Sequence, residues 1–266
     1  MKPDNKDVYE SGELARRYGR DEALQPPEAA ILKALKGELG GARMLDVGVG
    51  GGRTTVHFAP LVGSYVGIDY SETMIAACRE RFEETPGQLT FQVEDVRSLP
   101  AFGDGSFDFV LFSYNGLDYI PHDGRREALA EIRRVLGRGA RFALSTHNLN
   151  SLRSRLRIER GLRGRALASR MLWMARFFWH NRGAGNRGMG NPGAGIGTDG
   201  YCEVYDGALG YRLRTHYMTP EAAEEELRRA GFGDIEIFSL RTGEAIGAPE
   251  ELRANTEDWL YFLCRT

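Results

Sequence analysis

Only three cysteines occur in the 266 residues, Cys78, Cys202 and Cys264, and they lie far apart. They form neither a metal-ligand spacing nor a disulfide framework, which fits a reducing compartment. No run of about 18 apolar residues is present, so no helix is expected to span a membrane. The first residues lack the apolar core of a signal peptide, and a cytoplasmic location is expected. Charge of one sign is not in excess. The 35 Lys and Arg against 37 Asp and Glu leave a net charge of −2, which gives no global case for nucleic acid as a partner. Internal repeats are absent, which excludes a solenoid.

What is abundant is glycine, and one cluster of it carries chemistry. Met44-Leu45-Asp46-Val47-Gly48-Val49-Gly50-Gly51-Gly52-Arg53-Thr54-Thr55 reads as a strand, a tight loop and a helix start. Gly48, Gly50 and Gly52 let a ligand approach the backbone, and a helix N-terminus adds unpaired N–H donors. A dinucleotide loop spaced G-x-G-x-x-G would need glycine at 53. Arg53 stands there, which argues against NAD-dependent and nucleotide-sugar chemistry.

The rest of the first half alternates strands and helices. Strands are expected at 44–47, 65–69, 89–93, 107–112 and 141–146. Helices are expected over 28–39, after the N-cap Ser71, and through Leu129 and Leu136 to a stop at Gly137 or Gly139. Such alternation makes a mostly parallel sheet covered on both faces, with ligands at the carboxyl ends of its strands. Asp46, Asp69, Asp95, Ser113 and His147 all fall at those ends. Asp69 can accept from ribose hydroxyls, or serve only beside the Ser71 cap. Asp95 can accept from an exocyclic adenine amine while the Val96 N–H reads a ring nitrogen.

The ordered trio Asp46, Asp69 and Asp95 with the loop D-x-G-x-G-x-G resembles the class I S-adenosylmethionine (SAM)-dependent methyltransferases. Phe107-Asp108-Phe109-Val110-Leu111-Phe112-Ser113 and Glu131-Ile132-Arg133-Arg134-Val135-Leu136 are similar to the family as well. The resemblance runs over residues 40–147 and returns in two strands within 235–264. It implies a Rossmann-like, seven-stranded sheet whose last strand is antiparallel, and SAM as cofactor. It also implies cofactor contacts from Asp46, Gly48, Val49, Gly50 and Gly52, then Asp69, Tyr70 and Met74, then Glu94, Asp95, Val96 and Ser113. Tyr18 either closes over the cofactor or packs as core. The implied activity is methyl transfer to a small-molecule or lipid-linked acceptor, on oxygen first and nitrogen second. A non-catalytic SAM-binding or membrane-associated interaction protein is the rival.

A hydroxyl acceptor must lose a proton, and histidine titrates near neutrality. His147 ends the fifth strand and ranks first, ahead of His216 and His122. His57 reads as structural, and His180 lies in an insertion. That insertion, residues 151–200, interrupts the pattern. Ten arginines and one acid occupy 152–187 around Met171-Leu172-Trp173-Met174 and Phe177-Phe178-Trp179, before a glycine-rich run. It reads as a lid or helical cap, as a contact to an anionic membrane surface or lipid-linked substrate, or as a nucleic-acid contact. The division expected is a helical cap over 1–39 and a SAM-binding domain over 40–266 that contains the insertion.

Overall fold

The computed structural model describes residues 5–10, 22–85, 87–158, 161–182 and 196–266. In chain order the first elements are α1 (Asn5–Tyr9), α2 (Pro26–Leu35), β1 (Arg43–Val47), α3 (Thr55–Phe58), β2 (Ser64–Asp69) and α4 (Glu72–Arg81). Next come β3 (Leu89–Val93), β4 (Phe107–Phe112), α5 (His122–Val135) and β5 (Leu136–Asn148). Two helices, α6 (Leu149–Arg155) and α7 (Gly164–His180), precede a hairpin of β6 (Tyr201–Val204) and β7 (Thr215–Met218). The chain closes with α8 (Pro220–Arg229), β8 (Gly233–Ser239), α9 (Pro249–Ala254) and β9 (Trp259–Arg265).

Strand-centre residues sort by period two onto the two faces of the sheet. Leu45, Val110, Phe112, Phe142 and Leu144 face α5 and α8, where Leu129, Ile132 and Leu227 meet them. Met44, Phe109, Leu111 and Ala143 face α2 and α4, meeting Ile31, Leu35, Ile75 and Cys78. Strands buried on both faces read as continuous apolar runs, as Phe107–Phe112 does. The Ser71 side chain caps α4 by accepting from the Met74 N–H, and Thr219 caps α8 from Ala222. No glycine stops α5; β5 begins directly at Leu136.

The sheet runs β3-β2-β1-β4-β5, all parallel, with antiparallel β9 on β5 and β8 on β9. Seven strands were expected, and nine occur among the described residues. The extra pair is the β6–β7 hairpin. Its place follows from the registers. Arg141 pairs with both Phe109 and Arg265, so β4 and β9 occupy opposite edges of β5. His147 pairs with both Trp259 and Tyr217, so β7 takes the edge of β5 beyond the end of β4. The hairpin therefore stands over the carboxyl ends of the parallel strands, where ligands bind in this class of sheet.

Phe142 is fully buried at the sheet centre, 5.0 Å from the Phe232 ring. Phe142→Ala should lower unfolding stability by about 3–5 kcal/mol, read as a lower urea midpoint at unchanged slope. A loss well under about 1 kcal/mol would show that the core collapses around the gap.

Candidate active site

A cavity of about 480 Å³ opens at the carboxyl ends of β1, β2 and β4. Its floor brings together Asp46, Gly48, Val49 and Gly50 from the loop after β1, and Asp69, Tyr70 and Met74 from the β2–α4 junction. Glu94, Asp95 and Val96 after β3, and Ser113 after β4, complete it. Gly48 and Gly50 hold left-handed φ of 65° and 54° in the cavity wall. Gly52 is off that wall. It also has positive φ, and a Cβ there would meet the Phe82 ring at 2.4 Å. Close packing of the loop on Phe82 and the left-handed φ both favour glycine at 52.

Asp46 is buried and accepts from the Thr54 and Tyr65 hydroxyls, both at 2.5 Å, which staples the loop to β2. Burial outweighs those bonds and pushes its carboxyl up to about 6. Asp69 accepts one backbone N–H at each oxygen, from Gly50 at 3.1 Å and Ser71 at 2.9 Å. Burial again dominates and raises it to about 6. Asp95 differs: half-buried at the rim, it pairs with Arg97 at 2.5 Å, and those hydrogen bonds hold its carboxyl below the usual range.

Arg53 lines the cavity and turns its guanidinium onto Glu28 of α2, with both N···O distances 2.6 Å. Glu28 is 1% exposed and also accepts from Ser113, Tyr261 and the Gln25 N–H. Arg53 further donates to the Ala23 carbonyl and lies 4.7 Å over the Tyr114 ring. The residue that spoils a dinucleotide loop thus fastens that loop to the N-terminal helix.

A short N-terminal strap crosses the cavity. The Asn5 amide donates to the carbonyls of Tyr119 and Arg214 and accepts from the Arg214 N–H. At the other end Glu10 accepts from the Ser71 and Thr73 hydroxyls and the Glu72 and Thr73 N–H groups, over the start of α4. Between these anchors Lys6 and Tyr9 line the cavity, with Tyr9 edge-on to Tyr70 and Tyr119. Tyr18 lies outside the described residues.

The three ranked histidines gather in one layer beside this mouth, and none lines the cavity itself. His147 is edge-on to Tyr119, a wall residue. Its Nδ1 lies 2.7 Å from Asp118 Oδ2, which also accepts the His147 N–H at 2.6 Å. Asp118 Oδ1 accepts from Thr146 and from Arg125, and Arg125 extends to Glu226. Nε2 of His147 has no hydrogen bond among the described residues. His216 is buried, its Nε2 3.1 Å from His122 Nδ1 and its own Nδ1 unpartnered among the described residues. Burial, and then the Arg125 charge, hold His216 far below its ordinary pKa, so it is a neutral ring. His122 stacks on Tyr201 at 3.9 Å. His57 bonds the Glu22 carbonyl and His180 stacks on Tyr211, both away from the cavity.

Glu28, Asp118, Arg125, Lys6 and Tyr9 went unsingled by sequence reading. For Asp118 one signal existed, an acid on the turn between β4 and α5. For Glu28 there was none beyond its place in a helix.

Two consequences are measurable. Glu28→Gln removes the charge facing buried Arg53 and should cost about 3–5 kcal/mol in urea unfolding. Asp46 and Asp69 titrate in the folded state above their ordinary values, so protonation favours folding. Their contribution to stability is present in acid and is lost as pH rises from about 4 to about 6. Asp46→Asn should flatten that part of the stability profile; an unchanged profile would show that Asp46 is ionised throughout.

Residues 44–139 match a family described as a methyltransferase domain. The chain is 33% identical over 106 residues to an uncharacterized methyltransferase of Bacillus subtilis, covering 40% of each. It is 34% identical over 129 residues to a ubiquinone biosynthesis O-methyltransferase of Xanthomonas oryzae, covering 47% of this chain and 51% of that one. The chain thus matches about half or less of these relatives' lengths. Among solved structures, the Burkholderia thailandensis 1,6-didemethyltoxoflavin-N1-methyltransferase, with 1,6-didemethyltoxoflavin and S-adenosylhomocysteine bound, shares the fold. Its TM-score is 0.58 at 19% identity, over 97% of this chain and 85% of that one. The order of strand-end acids, the parallel core of the sheet and the matched segment agree: residues 44–139 are similar to a methyltransferase domain, and the chain shares the fold of SAM-dependent methyltransferases.

Proposed function

We propose that this chain methylates a hydroxyl oxygen, or second a nitrogen, of a small-molecule or lipid-linked acceptor. One observation carries the reading. A single cavity joins the Asp69–Val96 floor to a mouth walled by Tyr9, Tyr114 and Tyr119. The floor suits a nucleoside, with acceptors at Asp69 and Asp95 and an N–H at Val96. The aromatic mouth suits a planar or apolar acceptor. Bound SAM supplies a sulfonium methyl already activated by its charge. The protein's part is to align the acceptor, exclude water and take a proton. The supporting geometry for the last task is the His147–Asp118 pair. With Nδ1–H donating to Asp118 Oδ2, Nε2 is the ring nitrogen left to take a proton. Asp118 is then a positioning residue, itself held by Arg125 and Thr146.

Ribose hydroxyls donating to Asp69 favour its ionised form. S-adenosylhomocysteine affinity should therefore fall about tenfold per pH unit below about 6, and Asp69→Ala should cost about 1–3 kcal/mol at neutral pH. Calorimetric titration across pH reads both, and unchanged affinity in the variant would remove the ribose role. His147→Asn should lower kcat about a hundredfold or more with a hydroxyl acceptor and leave S-adenosylhomocysteine affinity intact. Asp118→Asn should lower kcat and shift the acid limb of the pH profile, which mere loss of stability would not move. Full turnover in His147→Asn would exclude the base. Tight S-adenosylhomocysteine binding with no methyl transfer to hydroxyl or amine acceptors would reduce the chain to a SAM-binding protein.

A further inference from the structure

We propose that α7 docks the protein on an anionic phospholipid surface. Six large hydrophobic side chains are exposed among the described residues, and four of them sit on this one helix. Met171 is 49%, Leu172 54%, Phe178 46% and Trp179 63% exposed, and a fifth, Ile158, lies just ahead of it. With Ala175 the four recur at i, i+1, i+4, i+7 and i+8, which is one stripe along a helix of about 3.6 residues per turn. The opposite face is committed to the protein. Phe177 is fully buried and packs with Leu149, Leu152, Cys202, Val204 and Tyr217. The helix is thus pinned by one face while the other shows apolar side chains to solvent.

Charge selects the occupant. Residues 161–182 hold five arginines and no acid. At the same helical spacing the exposed Arg165 and Arg176 fall along the Leu172–Trp179 edge of the stripe. Arg182 lies 4.4 Å over the Trp179 ring at the helix end. Aromatic and aliphatic side chains flanked by arginine are what an interfacial helix presents to acyl chains and anionic headgroups. A second copy fits worse, because a two-fold contact through this stripe sets arginine against arginine. Phe177 shares its core cluster with Tyr217, whose ring lies 4.9 Å from that of His147, so the docked helix backs onto the histidine layer through that cluster. Delivery of a lipid-held acceptor to that layer rests on the methyl-transfer reading; the docking itself does not.

The test is flotation of the full chain with vesicles of phosphatidylcholine alone or mixed with phosphatidylglycerol, together with its tryptophan emission. Flotation only with the anionic vesicles is expected, with blue-shifted emission. It should be lost near 1 M salt, where the screening length shrinks to about 3 Å. Leu172→Glu with Phe178→Glu, and separately Arg165→Glu with Arg176→Glu, should each lower partition about tenfold or more while melting and S-adenosylhomocysteine binding stay as in the parent. All four side chains are exposed, so folding is not at stake. Absent flotation, equal binding to neutral vesicles, or full binding by either variant would overturn the proposal. So would a dimer in sedimentation that the double glutamate variant dissolves. S-adenosylhomocysteine binding is read separately, so its failure strikes the methyl-transfer reading and leaves the docking result standing.

Discussion

The cavity depends on one buried carboxylate. Glu28 takes both arms of the Arg53 guanidinium, the Ser113 and Tyr261 hydroxyls and the Gln25 N–H, with almost no exposure to water. Four segments distant in sequence meet at it: α2, the glycine loop, the end of β4 and β9. Such a group contributes little net stability against a well-packed apolar substitute, since desolvating two charges offsets most of their attraction. What it supplies is geometry. Each donor has a fixed direction, so the loop after β1 and the end of β4 cannot slide relative to one another. The cavity between them keeps its width.

The same burial that makes Glu28 useful strains the acids beside it. Asp46 and Asp69 sit close to their ordinary partners, yet both are pushed up to about 6 because their surroundings are dry. Asp95 stands at the rim and has Arg97, so it moves the other way. The floor therefore grades from acids that are costly to ionise to one that is easily ionised. A ligand that donated hydrogen bonds at Asp69 would recover part of that cost. The Asp95 carboxylate is already engaged by arginine.

Much of this was legible in the sequence, for physical reasons. The β1 loop, the cap at Ser71 and the five parallel strands all announce themselves locally, through turn glycines, a short polar cap and apolar runs. What was illegible was long-range. The β6–β7 hairpin is short and half polar, so its pairing with the far end of β5 has no periodic signature. Glu28 is an unremarked acid in a helix until Arg53 folds onto it across 25 residues. Asp118 becomes a partner of His147 only through a contact across 29 residues. At Gly52 a further reason for glycine shows only in three dimensions, because a Cβ there would meet the Phe82 ring.

The hairpin also explains why three histidines spread over 95 residues of chain lie together. β5 overruns β4 by four residues, and that overrun offers an unpaired edge directly above the cavity mouth. β7 takes it, carrying His216 and Tyr217 in register with His147. His122 starts the helix below and joins through His216. Among the described residues of this layer His147 is the histidine whose ring meets a buried carboxylate; His216 has an arginine charge nearby and stays neutral. Two identical side chains on neighbouring strands thus have different surroundings, one hydrogen-bonded to a buried carboxylate and the other without one. The hairpin that creates the layer also shares a core cluster with Phe177 of α7, so the outer helix and the histidine layer rest on the same two strands.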